Sequence, residues 1–246
     1  MAGHSKWANI QHRKGRQDAK RGKLFTKLIR EVTIAAKMGG GDPDANPRLR
    51  AAIDSAKSQS MPKDTIERAI KRGAGGGEGE NVEEIRYEGY GPGGVAIIID
   101  CLTDNVNRTA PEMRLLFEKA GGNLAKPGAV SYGFSSKGLF LIETSKVTEE
   151  KLMEIAIEAG AEDVVEADGA WEVTTEPADF LTVKETLEKA GIEPDSAQLT
   201  MIPANIVVCN AKIGERVLRL LDAIEENDDV QKVYSNADIP DEVMAG

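Results

Sequence analysis

A nine-residue run, GAGGGEGEN at positions 73–81, divides the chain into two stretches of different periodicity. Five of the nine residues are glycine and its only apolar side chain is one alanine, so the run favours neither a continuing helix nor a strand. By composition it is a linker, and it sets the first boundary in a chain of 246 residues, long enough for two or three modest cores.

Before the run, apolar residues recur at helical spacing. Leu24, Leu28, Val32, Ala35 and Ala36 predict a helix over 24–37, which GGGDPDANP at 39–47 ends. A second helix is expected from about Pro47 to Ser58, with Leu49, Ala52, Ile53 and Ala56 on one face. A third starts at SMPKD, where Pro62 suits the first helical position, and runs through Ile66, Ala69 and Ile70 to Gly73. Three short helices bury their stripes best against one another, so residues 1–80 are expected to form a three-helix bundle.

After the run, EIRYEGY and GVAIIIDCL predict two strands joined by a Gly/Pro turn, and residues 106–119 predict a helix with a Gly-Gly exit at 121–122. From 139 onward the order is strand (LFLIET), helix (148–159), two strands around an Asp-Gly turn (163–166 and 171–174), helix (177–190) and strand (197–202). That is β-α-β-β-α-β, the ferredoxin-like order. A strand at 206–209, a helix from about Lys212 to Glu226 and a strand at 230–234 are expected to complete the sheet begun before residue 133, whose edges would otherwise stay open. The expected fold class is therefore α+β and multidomain. The bundle precedes two α+β domains, a discontinuous one formed by 81–134 and 205–246, and a ferredoxin-like one at 135–204 inserted in it.

Charge is divided along the same boundary. Residues 1–72 hold 17 Lys+Arg against 7 Asp+Glu, net +10, and the remainder holds 14 against 34, net −20. A basic part of that composition suits a polyphosphate partner, which the acidic part would repel. Within the basic part, His4–Phe25 contains a single acidic residue, Asp18. Arg13, Arg16, Lys20, Lys23, Lys27 and Arg30 recur at spacings of 3, 4, 3, 4 and 3. On a continuous helix they fall within an arc of about 100°, apart from the apolar face, as a line of cations suited to a phosphate backbone. Gly15 and Gly22 oppose helix continuity, and the arm before Lys23 is expected to order on a partner. Trp7 either stacks on a base or caps the bundle core. The candidate contact set is Lys6, Trp7, Arg13, Lys14, Arg16, Lys20, Arg21, Lys23, Lys27 and Arg30. The stripe does not distinguish DNA from RNA.

Other signals resolve into structural roles. GYGPGG at 89–94 has the spacing of a dinucleotide fingerprint, but a strand follows instead of a helix, so a hairpin turn is expected. In TDNVNRT, Asp104 or Asn105 is expected to cap a helix, with Arg108 as a secondary candidate for an anion contact. Cys101 and Cys209 lie in apolar stretches and read as buried hydrophobes in a reducing compartment. His4 and His12 are the only histidines and have no cysteine near them, so no metal site, cofactor motif, small-molecule site or catalytic set is expected. The longest apolar run, Val95–Ile99, is too short to cross a bilayer, and a soluble, cytoplasmic, non-enzymatic protein is expected.

The blocks MAGHSKWANIQHRKGRQDAKRGKLFTKLIRE, AAKMGGGDPDANPRLRAAI, MPKDTIERAIKRG, YEGYGPGGVAIIID and LTDNVNRT resemble the signature blocks of the YebC family, over essentially the whole length. The resemblance implies a cytoplasmic protein with a helical bundle and two α+β domains, one inserted in the other. It implies DNA-binding transcriptional regulation as the first function. The alternative it implies is a ribosome-associated translation factor that binds RNA and relieves stalling at proline runs. The family supplies no catalytic residues, and Ala125 and Ala129 stand where its pattern has Gly and Ser.

Overall fold

The computed structural model describes residues 21–75, 82–167 and 169–244. Three helices come first: α1 (Arg21–Gly39), α2 (Pro47–Ser58) and α3 (Lys63–Ala74). One buried side chain organises the α1–α2 turn. Asn46 caps α2 by accepting from the Leu49 N–H at 3.1 Å, and its amide donates to the carbonyls of Ala35 (2.8 Å) and Gly40 (2.9 Å) at the end of α1. A helix start and a helix end are thereby satisfied at once. Val32, Ala35 and Ala36 pack on Leu49, Ala52, Ile53 and Ala56, and Met61, Ile66 and Ala69 close this core. Pro62 sits one residue earlier than expected, as the N-cap of α3.

Beyond the linker run, β1 (Glu83–Tyr90) and β2 (Ala96–Thr103) form an antiparallel hairpin. Its turn holds Gly93 and Gly94 at φ of 73° and 77°, a left-handed region that favours glycine. Helix α4 (Val106–Ala120) follows, then the two-residue β3 (Asn123–Leu124), which adds to β1. After a long excursion the chain returns through helix α7 (Ala211–Glu225) and strand β9 (Val230–Ser235), giving an antiparallel sheet in the order β3-β1-β2-β9. Ile97, Ile99 and Cys101 share one core with Met113 and Phe117 of α4 and Val217, Leu220 and Ile224 of α7. Ile98 and Ala96 belong to a second cluster with Val130, Phe134 and Met201. Burial on both faces explains why β2 reads as a continuous apolar run rather than an alternation.

The excursion is β4 (Phe134–Glu143), α5 (Glu149–Glu158), β5 (Ala161–Ala167), β6 (Ala170–Thr175), α6 (Phe180–Lys189) and β7 (Ser196–Pro203). The strands lie in the order β5-β6-β4-β7, all neighbours antiparallel, as a ferredoxin-like module requires. Phe140 and Ile142 pack with Leu152, Ala156, Val173, Val183 and Leu187, and the Phe140 and Phe180 rings stack at 4.9 Å. The fold is thus mixed α+β with an N-terminal helical region.

One expected strand has a different fate. Residues 206–209 do not extend the first sheet; β8 (Val207–Val208) pairs in parallel with β10 (Ala237–Asp238) as a separate two-stranded ladder. The edge of β2 is already taken by β9, so pairing there is closed to it. Among the described residues, no helix is long and apolar enough to cross a membrane.

Candidate nucleic-acid interface

Of the ten candidate contact residues, Lys6, Trp7, Arg13, Lys14, Arg16 and Lys20 lie outside the described residues, and the backbone of Arg21 begins α1. The remaining three, Lys23, Lys27 and Arg30, stand at i, i+4 and i+7 and therefore share one face of α1. Gly22 lies within the helix.

That face meets the far end of the chain. Lys23 Nζ donates to the Glu226 carbonyl at 2.8 Å, Lys27 Nζ to the Glu225 carbonyl at 2.8 Å, and Arg30 donates to the Asp228 carbonyl at 2.6 Å. These acceptors are the last residue of α7, its C-cap and the turn after it. A helix C-terminus leaves carbonyls without intrahelical partners and carries partial negative charge. The last turn of α7 has no basic residue of its own, and α1 supplies three cations instead.

At the end of this row Arg30 also donates to Asp229 Oδ1 at 3.0 Å. The other carboxylate oxygen of Asp229 accepts from Arg108 at 2.7 Å, from Thr109 Oγ1 at 2.8 Å and from Thr103 Oγ1 at 3.2 Å. The Asp229 side chain is 4% exposed. Burial alone would raise its pKa, but bonds from Arg108 and Thr109 and the charges of Arg108 and Arg30 outweigh it and hold the carboxyl below the usual aspartate range. Burial pushes the Lys27 ammonium below its ordinary value, an effect that the nearby charges of Glu225 and Asp228 oppose. Cys101, buried in the same region, is pushed up to about 12, first by burial and then by the charges of Asp229 and Asp100.

A second bridge joins the helices to the first sheet. Arg48 of α2 makes a bidentate pair with Glu31 (2.8 and 3.2 Å) and also bonds Glu84 of β1. Asn105, not Asp104, caps α4, accepting from Arg108 N–H at 3.1 Å; the anions that Arg108 meets are Asp104 and Asp229 of its own chain. Sequence reasoning misses Asp229 and the α7 terminus. The one available signal is the run EENDD at 225–229, which looks like a solvated acidic turn until α1 lies beside it.

Two family models cover nearly all of this architecture. The TACO1/YebC protein N-terminal domain matches residues 5–76, and the TACO1/YebC second and third domain matches residues 82–237. This chain belongs to the TACO1/YebC family. Curated TACO1/YebC relatives include the "Probable transcriptional regulatory protein HRM2_04000" of Desulforapulum autotrophicum, 56% identical over 243 residues, which cover 99% of this chain and 98% of that one. The "Probable transcriptional regulatory protein GSU1074" of Geobacter sulfurreducens is 56% identical over 244 residues, with the same coverage. Among solved structures, the crystal structure of a conserved hypothetical protein, Aq1575, from Aquifex aeolicus superposes with a TM-score of 0.81 at 50% identity, covering 91% of this chain and 92% of that one. The two curated relatives are named as probable transcriptional regulatory proteins.

Proposed function

We propose that this chain is a non-enzymatic, nucleic-acid-binding regulator that grips the phosphate backbone through its basic N-terminal region, with DNA-binding transcriptional regulation as its role in the cytoplasm. The observation that carries the reading is the division of charge, net +10 over residues 1–72 and net −20 over the remainder, with six of the 17 cations of the basic part recurring as one stripe. The names of its relatives, probable transcriptional regulatory proteins, support it. So does the geometry of α1, whose Lys23, Lys27 and Arg30 reach oxygens of three different residues in one row.

The stripe would meet phosphates with Arg13, Arg16, Lys20, Lys23, Lys27 and Arg30, with Lys6, Trp7, Lys14 and Arg21 beside them. Backbone contacts of this kind supply affinity and position without sequence readout. If about five phosphates are neutralised on duplex DNA, log affinity falls with log salt at a slope of about −4 to −5. Binding of a labelled duplex across a salt series tests this, and a flat dependence overturns it. Sedimentation through a sucrose gradient separates this role from a ribosomal one. Co-migration with ribosomal subunits, lost on charge reversal of Lys20, Lys23 and Lys27, would assign the protein to translation instead.

A further inference from the structure

We propose that the end of α7 and a nucleic-acid backbone compete for one face of α1, so that the contact seen here is a closed latch which binding must open. The inference rests on the proposed function, since it presumes that Lys23, Lys27 and Arg30 belong to the phosphate-contacting stripe.

The acceptors on α7 imitate the ligand. The carbonyls of Glu225, Glu226 and Asp228 form a row of oxygens at the negative end of a helix, and the carboxylates of Asp228 and Asp229 lie beside them. A phosphate backbone offers the same chemistry, closely spaced oxygen acceptors with negative charge. The face is also covered. The Arg30 side chain is 22% exposed, and the Lys27 ammonium bonds the α7 end while its side chain is half-buried, so a duplex reaches neither while α7 stays in place. Lys23, half exposed at the margin, is where an incoming strand would start.

The contact is built to be reversible. It consists of ion pairs and charge-assisted hydrogen bonds, and the second bridge, Arg48 to Glu84, is of the same kind. The exposed pairs, Lys23 with Asp228 and Arg48 with Glu84, weaken as salt rises, and polar interfaces between domains of one chain resemble transient ones. A tethered acceptor acts at a high effective concentration, so duplex binding is weakened by the fraction of molecules that are open. With about a tenth of molecules open, release of the latch tightens binding about tenfold. The acidic part of the chain then has a stated role: it sets the threshold a polyanion must exceed to reach the stripe.

The test uses the full chain with one fluorophore pair at exposed positions, Lys57→Cys on α2 and Glu118→Cys on α4; the two native thiols are buried. Transfer efficiency and duplex anisotropy are read together as a DNA duplex of about 20 base pairs is added at low salt, with an RNA duplex of equal length in parallel. The expected result is a shift in efficiency that tracks binding. Glu226→Lys with Asp228→Lys should start from the shifted efficiency and bind about tenfold more tightly than Glu154→Lys with Glu158→Lys, which changes net charge equally on distant α5. Binding with unchanged efficiency, or equal affinity of the two double variants, overturns the latch and leaves the proposed function standing. Absence of binding to either duplex at low salt overturns both. Should the α7-end variant fail to fold, the efficiency of the labelled parent decides.

Discussion

Arg30 and Asp229, 199 residues apart in sequence, lie 3.0 Å apart across the boundary between the N-terminal helices and the first sheet. Asp229 is also the acceptor for Arg108, Thr103 and Thr109, so one buried carboxylate holds α1, β2, α4 and the α7–β9 turn. Asp229→Ala removes one acceptor from each of two guanidinium groups and two hydroxyls. The expected cost is about 2–4 kcal/mol, a fall in melting temperature on the order of 5–10 °C. Asp229→Asn, which keeps one acceptor oxygen, should fall less. Calorimetry checks this, and a melting temperature within about 1 °C of the parent would show that the network contributes nothing.

Acid should weaken the fold through two carboxylates. Glu88, buried in β1, accepts backbone N–H groups from Gly128 (2.9 Å), Val130 (2.8 Å) and Ser131 (2.9 Å). Burial pushes its pKa up, but the three amides outweigh burial and hold it below the usual glutamate range, as Arg108 and Thr109 do for Asp229. Both groups bind protons more readily in the unfolded chain, so stability rises with pH where they titrate. Their contribution is complete above the ordinary carboxylate range and is lost as pH falls through the depressed folded values. Urea unfolding at a series of pH values should show this slope, and Glu88→Gln should flatten it. An unchanged slope in the variant counts against the clamp.

Gly89 of β1 should not tolerate a side chain. A Cβ there would lie 2.6 Å from the Phe117 ring and 2.8 Å from the Asn123 carbonyl, and Phe117 is fully buried. Gly89→Ala is expected to destabilise by about 1–3 kcal/mol, measured as a lower urea midpoint, whereas Gly128→Ala, a site with open space but a φ of 85°, should act through backbone strain alone.

The thiols should be silent in the native state. Cys101 and Cys209 are both buried, and burial pushes both pKa values up, to about 12 for Cys101. Thiolate is the reactive form, so an alkylating reagent at neutral pH should label neither until denaturant is added. Rapid labelling of Cys101 in native protein would mean that the region around Asp229 opens readily.

Much of the fold is legible because its signals are local. The helix at 47–58 has its own proline start and asparagine cap, and the β-α-β-β-α-β order follows from alternation and turn residues that each segment carries itself. The pairing of β8 with β10 is not legible, because two-residue strands have too little pattern to choose a partner, and the sheet edge expected for 206–209 is taken by a strand more than twenty residues later. Three of the candidate site residues are legible as a face, but not as a contact. Spacing places Lys23, Lys27 and Arg30 on one arc of α1, and nothing local says what that arc faces.

Periodicity, charge division and turn chemistry, all readable residue by residue, determine the helical start, the α+β remainder and a basic stripe set apart from an acidic body. Tertiary structure alone decides that the stripe's last three cations meet the carbonyl end of α7 and that Asp229 becomes the acceptor for side chains from three elements. The reason is one of range. Helical and strand signals act over a few residues, whereas a helix end has free carbonyls whatever its sequence, and only the folded chain determines which distant cations satisfy them.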